Sequence, residues 1–208
     1  MHANDSDLEP SSVIDVHDFG EAMFSAITSR HSVSPKALQA PGPSDEQLQR
    51  LIEVAACAPD HGLLRPWRFI LFPEDKRPVL ADLFEEALLE RHSQATEEDR
   101  LRAREKAARA PLLLGVVVHI DKEDEKVAFE DQIASAGAAL QNVLLQVHAF
   151  GFGARATSGR AVRTNAFRKA LNLHEDEVFL CFLAIGTATR KAKTKERPDP
   201  KSLLTSWP

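Results

Sequence analysis

The chain reads as an α+β protein, a sheet packed by helices. Helical and strand-like segments follow one another irregularly over its 208 residues, without the regular strand–helix alternation of a doubly wound parallel sheet. A near-continuous apolar, β-branched run from Leu112 to Ile120 has the pattern of a strand buried on both faces. After it comes the longest helical pattern, from about Phe129 to Phe150, apolar on most faces and therefore destined for a core or a subunit contact. No repeat or linker divides the chain, so one domain over 18–208 is expected, preceded by a flexible, acidic arm over 1–17.

Each element has a local cause. Phe19, Met23, Ala26 and Ile27 recur at helical spacing and lead into Ser29-Arg30-His31-Ser32. A loop at Pro41-Gly42-Pro43 precedes Ser44 and Gln47, which predict a capping box. The helix they open carries Leu48, Leu51, Ile52, Ala55 and Ala56 on one face and stops at Pro59. Asp60-His61-Gly62 reads as a turn, and Trp67 to Phe72 as a strand closed by Pro73. Val79, Leu80, Leu83, Phe84, Ala87 and Leu88 mark the next helix. The charged stretch from Glu90 to Arg109 reads most simply as a solvated helix. Gly151 ends the long helix. A short segment at Ala154 to Thr157, a helix near Arg163 to Leu171 and a strand from Val178 to Ile185 complete the set, with a basic, then Pro-rich, extended tail from Thr187.

Composition excludes several classes. A net charge of -5 and a pI near 5.9 give no reason to expect nucleic acid or a membrane surface. Cys57 and Cys181 match no metal or redox spacing, and neither CxxC nor HExxH occurs, so no metal is expected. There is no signal-peptide pattern and no run long enough to cross a bilayer, which predicts a soluble, cytoplasmic protein.

Four segments could carry chemistry. In Ser29-Arg30-His31-Ser32 an arginine fork and a hydroxyl suit phosphate oxygens, though Arg30 could equally complement a helix C-terminus. Ala58-Pro59-Asp60-His61, followed by Pro66-Trp67-Arg68-Phe69, is a proline-fixed loop from which His61 can reach a ligand or serve as a structural hydrogen-bonder. Gly151-Phe152-Gly153 with Arg155-Ala156-Thr157 allows close backbone approach to a flat ligand, or is a helix cap and turn; it is not a Rossmann fingerprint. Arg190 to Arg197, with Lys195 and Arg197, is a basic cluster that can clamp a phosphate or simply face solvent.

In this order and spacing the four segments resemble the nitroreductase family, and within it the YdjA-like branch. The matching residues are Arg30-His31-Ser32 for the family's Arg-Arg-Ser, and Ala58-Pro59-Asp60-His61 with Arg65-Pro66-Trp67 for its Ala-Pro loop and Gln-Pro-Trp. Ser135-Ala136-Gly137-Ala138-Ala139 before Gly151-Phe152-Gly153 matches its central helix, and Gly186-Thr187 with Pro198-Asp199-Pro200 its closing strand and arm. The resemblance covers nearly everything from residue 20 onward.

The resemblance implies a mostly antiparallel sheet and a homodimer with the long helix at its interface and FMN bound there. It implies cofactor contacts from Arg30, His31, Ser32, Cys57, His61, Arg155, Ala156, Thr157, Lys195 and Arg197, with Arg30 on the phosphate and the Glu90–Arg109 stretch as a variable cover. It implies ping-pong electron transfer from NAD(P)H to small acceptors such as nitroaromatics or quinones. The flavin carries that chemistry, so no side chain is nominated as a catalytic acid or base. Three departures bear on these roles. His31 stands for the second Arg, Ser34 stands where a cation is common unless Lys36 substitutes, and Arg155-Ala156-Thr157 replaces the usual strand. The last motivates an alternative, an FMN-binding carrier or redox sensor without steady turnover. A structural module whose basic tail binds a polyanion ranks behind both.

Overall fold

The computed structural model describes residues 16–124, 126–190 and 196–207. The expected arm, as far as residue 15, and Lys195 lie outside them. The chain divides into two compact units, residues 1–30 and 31–208.

The first unit contains helix α1 (Val16–Ser29), which starts earlier than the apolar spacing from Phe19 suggests. The Thr28 and Ser29 hydroxyls donate back to the Phe24 and Ser25 carbonyls at 2.8 and 2.6 Å, which closes the last turn. Phe19, Met23, Phe24 and Ile27 remain exposed.

The second unit is built on an antiparallel five-stranded sheet. Its strands are β1 (Leu38–Gln39), β2 (Trp67–Leu71), β3 (Leu112–His119), β4 (Gly153–Thr157) and β5 (Glu177–Ala188). The order is β1-β5-β3-β2, with β4 also paired to β5, so β5 is the spine. Side chains on β3 alternate between two cores. Leu112, Leu114 and Val116 join Cys181, Leu183 and Ile185 on one face, against Leu51 and Ala55 of α2 (Asp45–Ala56) and Val143 and Val147 of α5 (Phe129–Ala149). Leu113 and Val117 face the other way, into a phenylalanine cluster beneath α3 (Arg77–Arg91) and α6 (Asn165–Ala170). A bulge between Val116 and Val117 leaves Leu180 as the extra residue on β5. The slip brings Phe179 and Phe182 to the same face, ring centroids 4.8 Å apart, although their spacing is odd.

The capping box of Ser44 and Gln47 forms as read. Three expectations need correction. The charged stretch is not one helix: α3 ends at Arg91, and a separate α4 (Glu97–Arg104), with its own capping box on Thr96 and Asp99, folds back on it. Glu85 of α3 binds Arg100 and Arg104 of α4 at 2.6 and 2.7 Å. The last strand runs on through Thr187 and Ala188, because β1, unseen in the sequence, pairs with them. The tail is not wholly extended, since Pro200–Leu203 forms one 3-10 turn.

Two buried polar groups hold the connections. Arg77 donates to three main-chain carbonyls, Phe72 at 2.9 Å, Ala107 at 2.7 Å and Pro111 at 3.5 Å; burial lowers its pKa. Gln132, almost fully buried on α5, accepts from Asp121 N–H at 2.8 Å and donates to the Asp121 and Val127 carbonyls.

Candidate functional site

The segment leaving the first unit runs beside β4. Ser32 forms an isolated parallel bridge with Ala154, and Val33 N–H donates to the Ala154 carbonyl at 2.9 Å. A 3-10 turn at Pro35–Ala37 follows, its proline suited to the first helical position, and it sets Lys36 opposite the end of β4. Gly153 permits this contact: a Cβ there would lie 2.9 Å from Val33 Cγ2 and from Leu38 Cδ2. Its missing side chain therefore serves packing within the chain rather than the approach of a flat ligand. Gly151, at φ 82°, makes the turn that ends α5.

Between this segment and the α3–α4 layer lies a cavity of about 550 Å³. Leu113, Phe182 and Ala184 make an apolar floor. Ser34, Lys36, Arg155 and Thr157 form one rim, and Ser158 to Val162 the next. Phe84, Arg91, Lys106 and Arg109 form the far wall. The lining includes six cationic side chains, Lys36, Arg91, Lys106, Arg109, Arg155 and Arg160, and no carboxylate. Lys106 is exposed, and its Nζ lies 5.8 Å from the centroid of the Phe84 ring. Partial burial, then Arg109 and Arg91, lowers its pKa. A second, more open depression by Asp82, Glu85 and Glu86 is acidic, but Asp82 and Glu85 are engaged by Arg100 and Arg104.

The residues expected from the sequence fall into groups. Arg155 and Thr157 share the first rim with Lys36, whereas Ser32 pairs through its main chain with Ala154 and does not line the cavity. Ala156, between two cavity-facing neighbours, packs instead into the core on the α2–α5 side. His61 and Cys57 lie by the α2–α5 layer. His61 Nδ1 is 3.0 Å from Asp131 Oδ2 in the first turn of α5, and Cys57 caps α2, its thiol donating to the Glu53 carbonyl at 3.4 Å. The His31 ring stands edge-on to His148, centroids 6.3 Å apart. Arg30 closes the first unit, and Arg197 lies in the described tail, exposed. Cys181 is core, and burial pushes its thiol up to about 11. Among the described residues no cluster of His, Cys, Asp or Glu could hold a metal, and no helix is long and apolar enough to cross a membrane.

Sequence reading missed Arg91, Lys106, Arg109 and Arg160. The first three sit in the stretch read as solvated. One signal was available: Ala107, Ala108 and Ala110 alternate with Lys106 and Arg109, small residues that let a backbone pack closely.

The nitroreductase family model matches residues 27–187. A Haemophilus influenzae protein named as a candidate NAD(P)H nitroreductase is 37% identical over 173 residues, 83% of this chain and 93% of the relative. YdjA of Escherichia coli K12, named likewise, is 32% identical over the same shares. A candidate nitroreductase from Desulfovibrio desulfuricans, solved in complex with FMN, superposes with a TM-score of 0.66 over 89% of this chain and 96% of its own, at 23% identity, a likeness of fold.

Proposed function

The chain belongs to the nitroreductase family, an oxidoreductase family, and from that premise we propose that it binds FMN and passes electrons from NAD(P)H to small organic acceptors such as nitroaromatics or quinones. The observation that carries this reading is the rim where Ser34 and Lys36 meet Arg155 and Thr157, above an apolar-floored cavity without carboxylates. The donor set suits the cofactor: hydroxyls and cations for an anionic, oxygen-rich ligand, and flat apolar surface for a ring. It accords with the FMN complex solved for the Desulfovibrio relative and with the NAD(P)H in the names of the curated ones.

When bound, the flavin supplies the two-electron relay between the nicotinamide and the acceptor. The chain supplies grip, charge and shape. Arg30, His31 and Ser32, with Lys195 and Arg197 from the tail, are assigned to the phosphate end, where guanidinium forks and hydroxyls match phosphate oxygens. Lys36 would take the place of the cation missing at Ser34 and supply the positive charge that favours a reduced flavin. Arg155 and Thr157 would hold the ring at the cavity rim. Donor and acceptor use the cavity in turn, which gives ping-pong kinetics.

We assign Cys57 and His61 to the site of a second copy of the chain. In the first unit, the exposed stripe Phe19, Met23, Phe24 and Ile27 offers apolar surface for a homodimer. In the second unit, the half-buried Leu140 and Leu144 of α5 offer apolar surface of their own. Steady-state assays with NADPH or NADH against nitrofurazone and menadione test the reading. Parallel double-reciprocal lines and acceptor-dependent turnover are expected. Flavin reoxidised no faster with either acceptor than by oxygen would favour the carrier or sensor alternative.

A further inference from the structure

We infer that the wall formed by Arg91, Lys106 and Arg109, with Arg160 at its edge, is an anion site that selects a substrate bearing a carboxylate, sulfonate or phosphate. This deepens, and rests on, the reading of the cavity as the place where the substrates of a flavoenzyme enter. The phosphate-gripping residues assigned above do not include these four. Ser32 and Arg197 are not among the cavity's lining residues either.

Three observations carry the inference. The first is uncompensated charge. Among the described residues, Arg91, Lys106, Arg155 and Arg160 have no carboxylate within ion-pair distance, and Arg109 has only Glu105, at 3.9 Å and itself exposed. The carboxylate nearest in sequence, Glu90, feels Arg91 but is committed elsewhere: it accepts the Asn165 and Ala166 N–H groups, both at 2.9 Å, at the start of α6. The second is proximity. Arg91, Lys106 and Arg109 line the same cavity, and both arginines lie close enough to Lys106 to depress its ammonium. A bound anion relieves that repulsion, the more so beside an apolar floor that thins the water.

The third is that the wall is held in place. Arg77, buried below it, donates to the carbonyls of Ala107 and Pro111, the residues bracketing Arg109 and following Lys106. Arg91 Nε is anchored on the Ala87 carbonyl at 2.9 Å, which orients its guanidinium. Charges on an ordinary solvated helix are not pinned from below by a buried arginine. A neutral acceptor gains nothing from these groups, whereas an anionic one gains attraction that salt weakens.

The shared chemistry has two sources, an anionic acceptor or the 2′-phosphate of NADPH, and one experiment separates them. The full chain, with and without added FMN, is titrated calorimetrically with 4-nitrobenzoate and with the neutral 4-nitrobenzamide. Turnover of the FMN-loaded protein is measured with both acceptors and with NADPH and NADH. The wild type is expected to bind or turn over one anionic member roughly tenfold better than its partner, and to lose most of that margin between about 50 and 500 mM salt. In Lys106→Gln/Arg109→Gln the margin falls below about threefold, while the neutral or less charged member changes less than twofold. Loss confined to the nitrobenzoate pair assigns the anion to the acceptor; loss confined to the NADPH pair assigns it to the donor. Arg91→Gln, on α3, provides an independent variant should the double variant melt early. A wild type that separates neither pair by more than about twofold overturns the inference while the flavin reading stands. Protein that takes up no FMN and shows no turnover defeats that reading, and the calorimetric preference of the FMN-free chain still decides the anion site.

Discussion

Ser32 and Ala154 pair across an isolated parallel bridge, tightened by the Val33 N–H bond to the Ala154 carbonyl at 2.9 Å. That contact seats the segment after α1 against β4 and so lines up Lys36 with Arg155 and Thr157. Gly153→Val places a Cβ 2.9 Å from Val33 Cγ2 and Leu38 Cδ2, with its methyl groups beyond. The substitution is expected to cost about 1–3 kcal/mol of stability and to weaken FMN binding roughly tenfold or more as the rim opens. Urea unfolding and an FMN titration check both.

Arg30→Ala removes a charge-assisted contact proposed for the FMN phosphate. Such contacts contribute about 1.5–3 kcal/mol, so the dissociation constant should rise roughly ten- to hundred-fold. Unchanged affinity would take Arg30 out of the phosphate clamp.

Arg77→Leu leaves the Phe72 and Ala107 carbonyls without their donor inside the core. The expected loss is about 1–3 kcal/mol for each carbonyl left unpaired. The turn bearing Lys106 and Arg109 should loosen first, visible as faster amide exchange at 105–111 than in the sheet.

Glu177 gives a pH dependence with a definite sign. Arg68 donates to it through Nε at 2.5 Å and Nη2 at 2.9 Å, and this pairing, with the His174 N–H, holds its carboxyl down at about 2. The folded value lies below the ordinary 4.5, so the stabilisation is present above the ordinary value and disappears as pH falls from there toward about 2. Glu177→Gln should cost about 1–2 kcal/mol at neutral pH, at the low end because Arg68 meets solvent. The difference from wild type should shrink to nothing on acidification. A constant difference between pH 6 and 2, measured by urea unfolding, contradicts the assignment.

Much of the fold was legible because periodicity speaks directly for long elements. β3 reads as buried on both faces because it is, and α5 reads as apolar nearly all round although only one face is fully buried within the chain. β1 was not legible: two residues carry no period, and the strand exists only because β5 extends to meet it. Ala156 followed the motif in sequence but alternates away from the cavity in space. The cationic wall was hidden for a different reason. Charge on a helical stretch looks the same whether it faces water or a cavity, and only the buried donations of Arg77 from a distant helix tell them apart.

The central claim, that this chain is a flavoenzyme reduced by a nicotinamide, is tested most directly by the visible spectrum of the purified protein after FMN loading, before and after anaerobic addition of NADPH and, separately, NADH. The account predicts the two absorption bands of oxidised flavin, bleached by at least one donor and restored by an acceptor. A chain that retains no flavin, or one whose oxidised spectrum survives both donors unchanged, would contradict it.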